Sequence, residues 1–264
     1  MTETTEERKA RQHQEDLERL RNFRPIDDTF MRGLLRKNIP LAQLVLKIIL
    51  NKPDLIVLEC DTQADVKRVT GARSLLLDAY CTDSTGKKYD IEVQRADAGA
   101  VPQRARYHAS MLDIDNLDAG EPFTNLPDTY IIFITEEDFY GIGKPLYFIQ
   151  DYNMTLLQSF NDGRHIIYAN SEYRDDSDFG RLMHDFNCTR ADEMYFPLMA
   201  EKTRYLKENP KGVSEMCKAM EDLRNETLVE CIQALMKNAN ISKEEAMRLL
   251  GVSKETSKQI LTLL

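Results

Sequence analysis

No run of about 18 apolar residues occurs anywhere in the chain, so no segment reads as a membrane-spanning helix. Residues 1–21, MTETTEERKARQHQEDLERLR, are polar and mixed in charge, without the apolar stretch of a secretory signal. Cysteine is scarce: Cys60, Cys81, Cys188, Cys217 and Cys231 make an odd number and include no C-x-x-C spacing. That argues against a zinc knuckle and for a reducing compartment, which places the protein in the cytoplasm. Positive charge is also short. The net charge of −9 has the wrong sign for a simple nucleic-acid coat protein, which is usually basic. It leaves room for a protein that gathers carboxylates around a cation and meets phosphates with a local basic stripe. Lys67, Arg68, Arg73, Lys87, Lys88, Arg95, Arg104 and Arg106 are the candidates for such a stripe.

The remaining sequence is organised around residues 73–95, RSLLLDAYCTDSTGKKYDIEVQR. Two β-branched and aliphatic runs flank Ser84-Thr85-Gly86, and a short loop ending in glycine signals a tight hairpin with that glycine at positive φ. A three-residue loop sets Asp83 across from Lys87, and hence Asp78 opposite Glu92 and Leu76 opposite Gln94. Because side chains alternate along a strand, Glu92 and Gln94 share a face with Asp78. Leu75, Leu77, Ala79, Ile91 and Val93 form the apolar face. Two carboxylates directly opposite on an antiparallel pair lie roughly 5 Å apart at Cβ and repel. A divalent cation relieves that repulsion, since Mg²⁺ takes oxygen ligands, commonly one or two carboxylates plus substrate phosphates. The plainer reading is an exposed polar face on a surface hairpin.

Asp78, a spacer of 13 residues and then Glu92-Val93-Gln94 resemble the PD-(D/E)XK nuclease superfamily. The flanking text resembles, more narrowly, the PD-(D/E)XK nuclease family transposases, related to the recombination-promoting nucleases. The resembling segments are DDTFMRGLL (27–35), the hairpin, RARYHASMLD (104–113), TYIIFITEEDFYG (129–141), FNDGRHIIYAN (160–170) and GRLMHDFNC (180–188). The resemblance implies an α/β (α+β) fold of the restriction-endonuclease-like kind, a mixed central sheet flanked by helices. It also implies phosphodiester cleavage in DNA, in a mobile-element or recombination setting, with Mg²⁺ or Mn²⁺ as cofactor.

Asp78, Glu92 and Gln94 fall at the catalytic positions of that motif. Asp78 and Glu92 would hold the metal, assisted by the backbone carbonyl of Val93. Asp28, on a helix before the hairpin, resembles the further acid of the metal shell, with Glu59 as its rival. Leu77 stands where the motif has proline, and Gln94 where it has lysine. An amide does not titrate near neutral pH and cannot act as a general base. Gln94 can still orient a water through its carbonyl oxygen.

A chain of 264 residues accommodates one sizeable domain and a small appendage. The expected division is a charged arm at 1–24, a nuclease-like domain at 25–208 and a helical C-terminal region at 209–264. Asp27 or Asp28 caps a first helix, and Pro40 opens a second, with Leu41, Leu44, Val45, Ile48 and Ile49 on its buried side. Strands are expected at 55–60, 146–150 and 165–170, and at 129–135, where a continuous apolar run reads as a central strand buried on both faces. A helix at 103–117 places Arg104, Tyr107 and His108 on one side. Arg104 and Tyr107, with Arg95, are read as substrate-binding residues and His108 as a satisfied structural histidine. His165 and His184 have no partner at metal-ligand spacing and read as structural too.

Residues 210–212 read as a break, followed by a helix at 213–238 with a methionine stripe that fills core. In residues 241–264, Ser242 with Glu245 forms a capping box, Gly251 a turn and Ser253 a second cap. This is a helix-turn-helix pattern with Ala246, Leu249, Val252 and Ile260 as skeleton and Lys254 and Lys258 toward phosphates. It fits a docking tail or a homodimer contact equally well. Two functions follow from the whole: a Mg²⁺-dependent DNA endonuclease of the transposase type, or a catalytically inactive nuclease-fold module that binds DNA or protein. Gln94 and the acidic balance motivate the second.

Overall fold

The computed structural model describes residues 5–62, 64–65, 75–95 and 99–261. Lys67, Arg68 and Arg73, from the proposed basic stripe, lie outside them. The chain begins with helices α1 (Thr5–Asn22), α2 (Asp28–Leu35) and α3 (Ile39–Leu50). Strands β1 (Val57–Asp61), β2 (Ala64–Asp65), β3 (Leu76–Leu77), β4 (Ala79–Asp83) and β5 (Lys88–Gln94) follow. Helix α4 (Pro102–Asp115) leads to β6 (Thr129–Thr135), β7 (Leu146–Ile149), β8 (Tyr152–Asn153), β9 (Gln158–Ser159) and β10 (Arg164–Asn170). Helices α5 (Asp178–Asn187), α6 (Pro197–Glu208), α7 (Pro210–Ala239), α8 (Lys243–Leu249) and α9 (Lys254–Ile260) complete the described chain. None of the described helices is long and apolar enough to cross a membrane. Two compact units result: Arg21–Asn209, and Met1–Leu20 together with Pro210–Leu264.

The larger unit is built on a mixed sheet in the order β1-β4-β5-β6-β10-β7. The β5–β6 and β6–β10 pairs are parallel, and the others antiparallel. A parallel pair needs a crossover, and α4 supplies it between β5 and β6. All seven residues of β6 are buried, as its uninterrupted apolar run requires of a central parallel strand. This is the restriction-endonuclease-like arrangement expected. Helix α4 packs on β6, and Ala105, Ala109 and Leu112 share a core with Ile131, Phe133 and Tyr168. Helices α2 and α3 contact β5 and β1, burying Phe30, Leu34, Leu35, Leu41, Val45 and Ile49.

The hairpin has the expected register, with Ala79 opposite Ile91 and Thr82 opposite Lys88. Its turn closes through Asp83 N–H to Lys87 O (3.1 Å) and Gly86 N–H to Asp83 O (3.0 Å), Gly86 lying at φ +85°. Leu75, Leu77, Ala79, Ile91 and Val93 are all buried. One pairing differs. The ladder ends at Ala79, and Leu76 faces Asp65 across a separate β2–β3 pair in place of Gln94. The break falls at Asp78, where the side chain takes over a bond that a strand would make with its backbone.

In the smaller unit Asp16 of α1 forms a two-pronged ion pair with Arg224 of α7 (2.6 and 3.0 Å). The chain breaks at extended Asn209, and Pro210, expected within that break, opens α7 at a position where its missing N–H costs nothing. Ser242 and Ser253 cap α8 and α9, with Gly251 at φ +65° between them. Val229 and Ile232 of α7 bury Ala246 and Ile260. Leu249, expected in that skeleton, is 61% exposed, because the seven-residue α8 turns only one narrow side to α7. Lys258 is exposed, and the Lys254 side chain lies outside the described residues.

Candidate active site

Alternation along β5 puts Asp90, Glu92 and Gln94 on the side that faces α4. Asp90 and Glu92 are completely buried there, and Asp78 nearly so. Asp78 and Glu92 interlock: the Asp78 N–H donates to Glu92 Oε1 (2.9 Å), and the Val93 N–H donates to Asp78 Oδ2 (3.2 Å). Val93 thus meets Asp78 through its N–H. Helix α2 brings Asp28 and Arg32, four residues apart and joined at 2.6 Å, with Arg32 Nε 3.8 Å from Asp78 Oδ1. Asp28 lies close enough to Asp78 to share a hydrogen bond and to raise its proton affinity. Glu59, the rival acid, is exposed on β1 opposite Thr82.

Helix α4 contributes Arg104 and His108 from successive turns of one side. The Arg104 guanidinium donates to Glu92 Oε2 (2.7 Å), Gln94 Oε1 (3.1 Å), Gly99 O (3.1 Å) and His108 Nε2 (3.1 Å). A His108 Nε2 that accepts must carry its proton on Nδ1, which donates to Asp90 Oδ2 (2.7 Å). The imidazole is therefore neutral and held at both ends. Gln94 Oε1 rests on Gly99, where a Cβ would stand 1.9 Å from that oxygen.

These carboxyl groups hold protons tightly. Burial first, and then the charges of Glu92 and Asp28, push Asp78 well above the usual carboxylate range. Burial and neighbouring Asp90 raise Glu92 to about 8, against the pull of the Asp78 N–H and the Arg104 guanidinium. Burial raises Asp90 to about 7. Fully ionised, Asp28, Asp78, Asp90 and Glu92 would carry two more charges than Arg32 and Arg104, the cations that face them among the described residues, can offset. Asp90 Oδ1 is enclosed, and no N–H group of the described residues reaches it. An oxygen-rich cluster that becomes doubly negative on giving up its protons fits a hard divalent cation such as Mg²⁺ or Mn²⁺.

Sequence reasoning missed Asp90 and set His108 aside. Both signals were present: Asp90 is two residues before Glu92 on an alternating strand, and His108 is four residues after Arg104 on a helix. One donor atom each from Asp90, Glu92 and His108 lies within 4.8 Å of the others. The same is true of His184, Asp185 and Cys188, so His184 does have partners, contrary to the reading of the sequence.

Other expected residues lie around this centre. Tyr107 is half-buried against the core that contains Leu77 and Phe133. Arg95, just past Gln94, is 58% exposed and bonded to Asp27 (2.8 Å) and Glu136 (2.9 Å). Lys87 pairs with Asp128 and Lys88 bonds Thr82. These two sit at the turn end of the hairpin, about 20 Å along β5 from Gln94 at the usual rise per strand residue. They do not extend a stripe from Arg95 and Arg104.

The order of the strands, the crossover helix and the carboxylates at the broken end of the hairpin are those of the restriction-endonuclease-like class. The family model for the PD-(D/E)XK nuclease family transposases matches residues 37–173, just over half of the 264 residues. The chain belongs to that family. The matched segment holds Asp78, Asp90, Glu92, Gln94, Arg104 and His108 and begins after Asp28. No curated protein and no solved structure matches the chain.

Proposed function

We propose that the protein is a metal-dependent DNA endonuclease of the transposase or recombination-promoting type, hydrolysing phosphodiester bonds. The observation that carries this reading is the burial of Asp78 and Glu92 against one another, with raised proton affinities and, among the described residues, fewer cations than acids. Asp78, Glu92 and Asp28 would hold Mg²⁺ or Mn²⁺, with the Val93 backbone alongside. A cation bound there supplies electrostatic stabilisation of the charge that builds on the phosphoryl oxygens and acidifies water.

The chain's own groups do the rest. Gln94 has no proton to exchange and orients water through its amide. Arg104 is a forked donor suited to a phosphate, and a cation held on Glu92 would let its guanidinium exchange that carboxylate for one. Asp90 and His108 hold the Arg104 stem-side nitrogen in place during that exchange. Arg95, exposed at the same strand end, meets the flanking backbone, with Tyr107 beneath α4. The five free thiols support a cytoplasmic protein, and the C-terminal helices offer a homodimer contact.

A second reading, an inactive nuclease-fold module that binds DNA or protein, draws on Arg104 already covering Glu92 and on Gln94 in place of lysine. Nicking of supercoiled plasmid separates the two. Cleavage that requires Mg²⁺ or Mn²⁺, stops with chelator and is lost in Glu92→Gln and Asp78→Asn supports the endonuclease. DNA binding that survives chelator, with no cleavage in either metal, establishes the module.

A further inference from the structure

The end of α5 carries a second cluster, distinct in chemistry from the acidic centre. His184 lies in the last turn and Cys188 is the residue that terminates the helix, four positions on and therefore on the same side. His184 Nδ1 is 3.4 Å from Cys188 Sγ and 3.2 Å from Asp185 Oδ1. In a tetrahedral zinc site, metal–ligand bonds of about 2.0–2.3 Å place neighbouring donor atoms roughly 3.2–3.7 Å apart. Both separations fall in that interval. Cys188 Sγ is also 3.8 Å from His184 Nε2 and so lies over the ring face; a turn of the half-exposed His184 ring about its Cβ–Cγ bond would aim a ring nitrogen at a cation shared with the thiolate.

Each group is held in place independently. Asp185, fully buried, accepts the backbone N–H groups of Tyr195 (2.8 Å, at Oδ1) and Phe196 (2.9 Å, at Oδ2) just ahead of α6. Each of its oxygens keeps a second lone pair. The His184 ring stands edge-on to Tyr195 at 4.9 Å. Steadying the entry to α6 accounts for Asp185 alone; it requires neither a thiol nor an imidazole at ligand spacing. The His184 side chain is 35% exposed and gives a cation its way in, while Cys188 is buried behind it.

We propose that His184, Asp185 and Cys188 form a binding site for a borderline divalent cation of the zinc type, joining the end of α5 to the start of α6. A thiolate with an imidazole and a carboxylate suits zinc and not magnesium, so this site and the nuclease centre select different ions. Burial pushes the Cys188 thiol up to about 11, and cation binding therefore expels its proton.

The test is a Co²⁺ titration of the full, reduced chain in excess Mg²⁺. A thiolate-to-cobalt charge-transfer band in the near ultraviolet is expected, saturating at one equivalent and bleached by Zn²⁺. The band should vanish in Cys188→Ser and need at least about tenfold more Co²⁺ in His184→Gln, which alters the outer side of the site. It should persist in Cys60→Ser and in Glu92→Gln. A wild-type protein without the band overturns the proposal, as does a band unchanged in folded Cys188→Ser. If Cys188→Ser does not fold, His184→Gln decides: a titration identical to wild type sinks the site.

Discussion

The two ends of one hairpin treat their aspartates in opposite ways. At the turn, Asp83 accepts Thr85 N–H (2.8 Å), Thr85 Oγ1–H (2.8 Å), Lys87 N–H (3.0 Å) and the Tyr89 hydroxyl (2.7 Å). Burial works against its charge, yet these donors outweigh it and hold the carboxyl below the usual range. At the far end, Asp78, Asp90 and Glu92 have fewer donors than lone pairs and one another's charge for company, and all three are raised. A satisfied buried carboxylate fixes a turn. An under-satisfied set stores unfavourable electrostatics that a bound cation would relieve.

The sharpest way to break this contrast is to neutralise one acid at each end. Glu92→Gln should lower plasmid nicking by about 100-fold or more, on the scale of losing a group that stabilises transition-state charge, while leaving the fold intact. Asp83→Asn should do the reverse, costing about 2 kcal/mol in urea unfolding through weakened bonds to a charged acceptor, with nicking by the folded protein near wild type. Equal loss of activity in both variants would erase the distinction.

Stability against pH should separate the ends next. The folded protein keeps protons on Asp90 and Glu92 up to about 7 and about 8, whereas an unfolded chain releases them near 4. Without divalent cation, stability contributed at acid pH is therefore lost as pH rises from about 4 to about 8. Asp83 has the opposite sign: its contribution is present above the ordinary carboxylate pKa and lost as pH falls through the lowered value. Denaturation in chelator should give a curve whose alkaline limb flattens in Asp90→Asn and whose acid limb flattens in Asp83→Asn. Added Mg²⁺ should raise stability at pH 8 far more than at pH 5.

Smaller effects refine the picture of the centre. His108→Ala should reduce nicking by about 10- to 100-fold, the usual result of removing a group that orients a metal-site neighbour, and Arg104→Lys should show no further loss in that background. Gly99→Ala should shift the melting temperature by less than about 4 °C, under 1 kcal/mol for a chain of this size. It should still slow cleavage, since only the Gln94 amide must move to admit the methyl group.

Short-range chemistry explains how much of this was legible beforehand. Ser84-Thr85-Gly86 specified the turn, and the turn specified the register that brings Asp78 to Glu92. The apolar run of β6 announced a central strand. What escaped notice depends on distant partners. Leu76 leaves the hairpin because β2, eleven residues upstream, offers it a different neighbour, and no local pattern encodes that choice. His108 shares a helix side with Arg104, but the partner that fixes its other nitrogen, Asp90, lies on a different element. The ion pair of Asp16 with Arg224 likewise joins segments that carry no mutual signature in the text.

The splice at Asp78 has a practical consequence for mutagenesis. Because its carboxylate substitutes for a carbonyl in satisfying the Val93 amide, truncating the residue strips a backbone partner as well as a charge. Alanine there would confound chemistry with local unravelling of β5. Asparagine leaves an oxygen in front of that amide and alters only the electrostatics, which makes it the informative replacement.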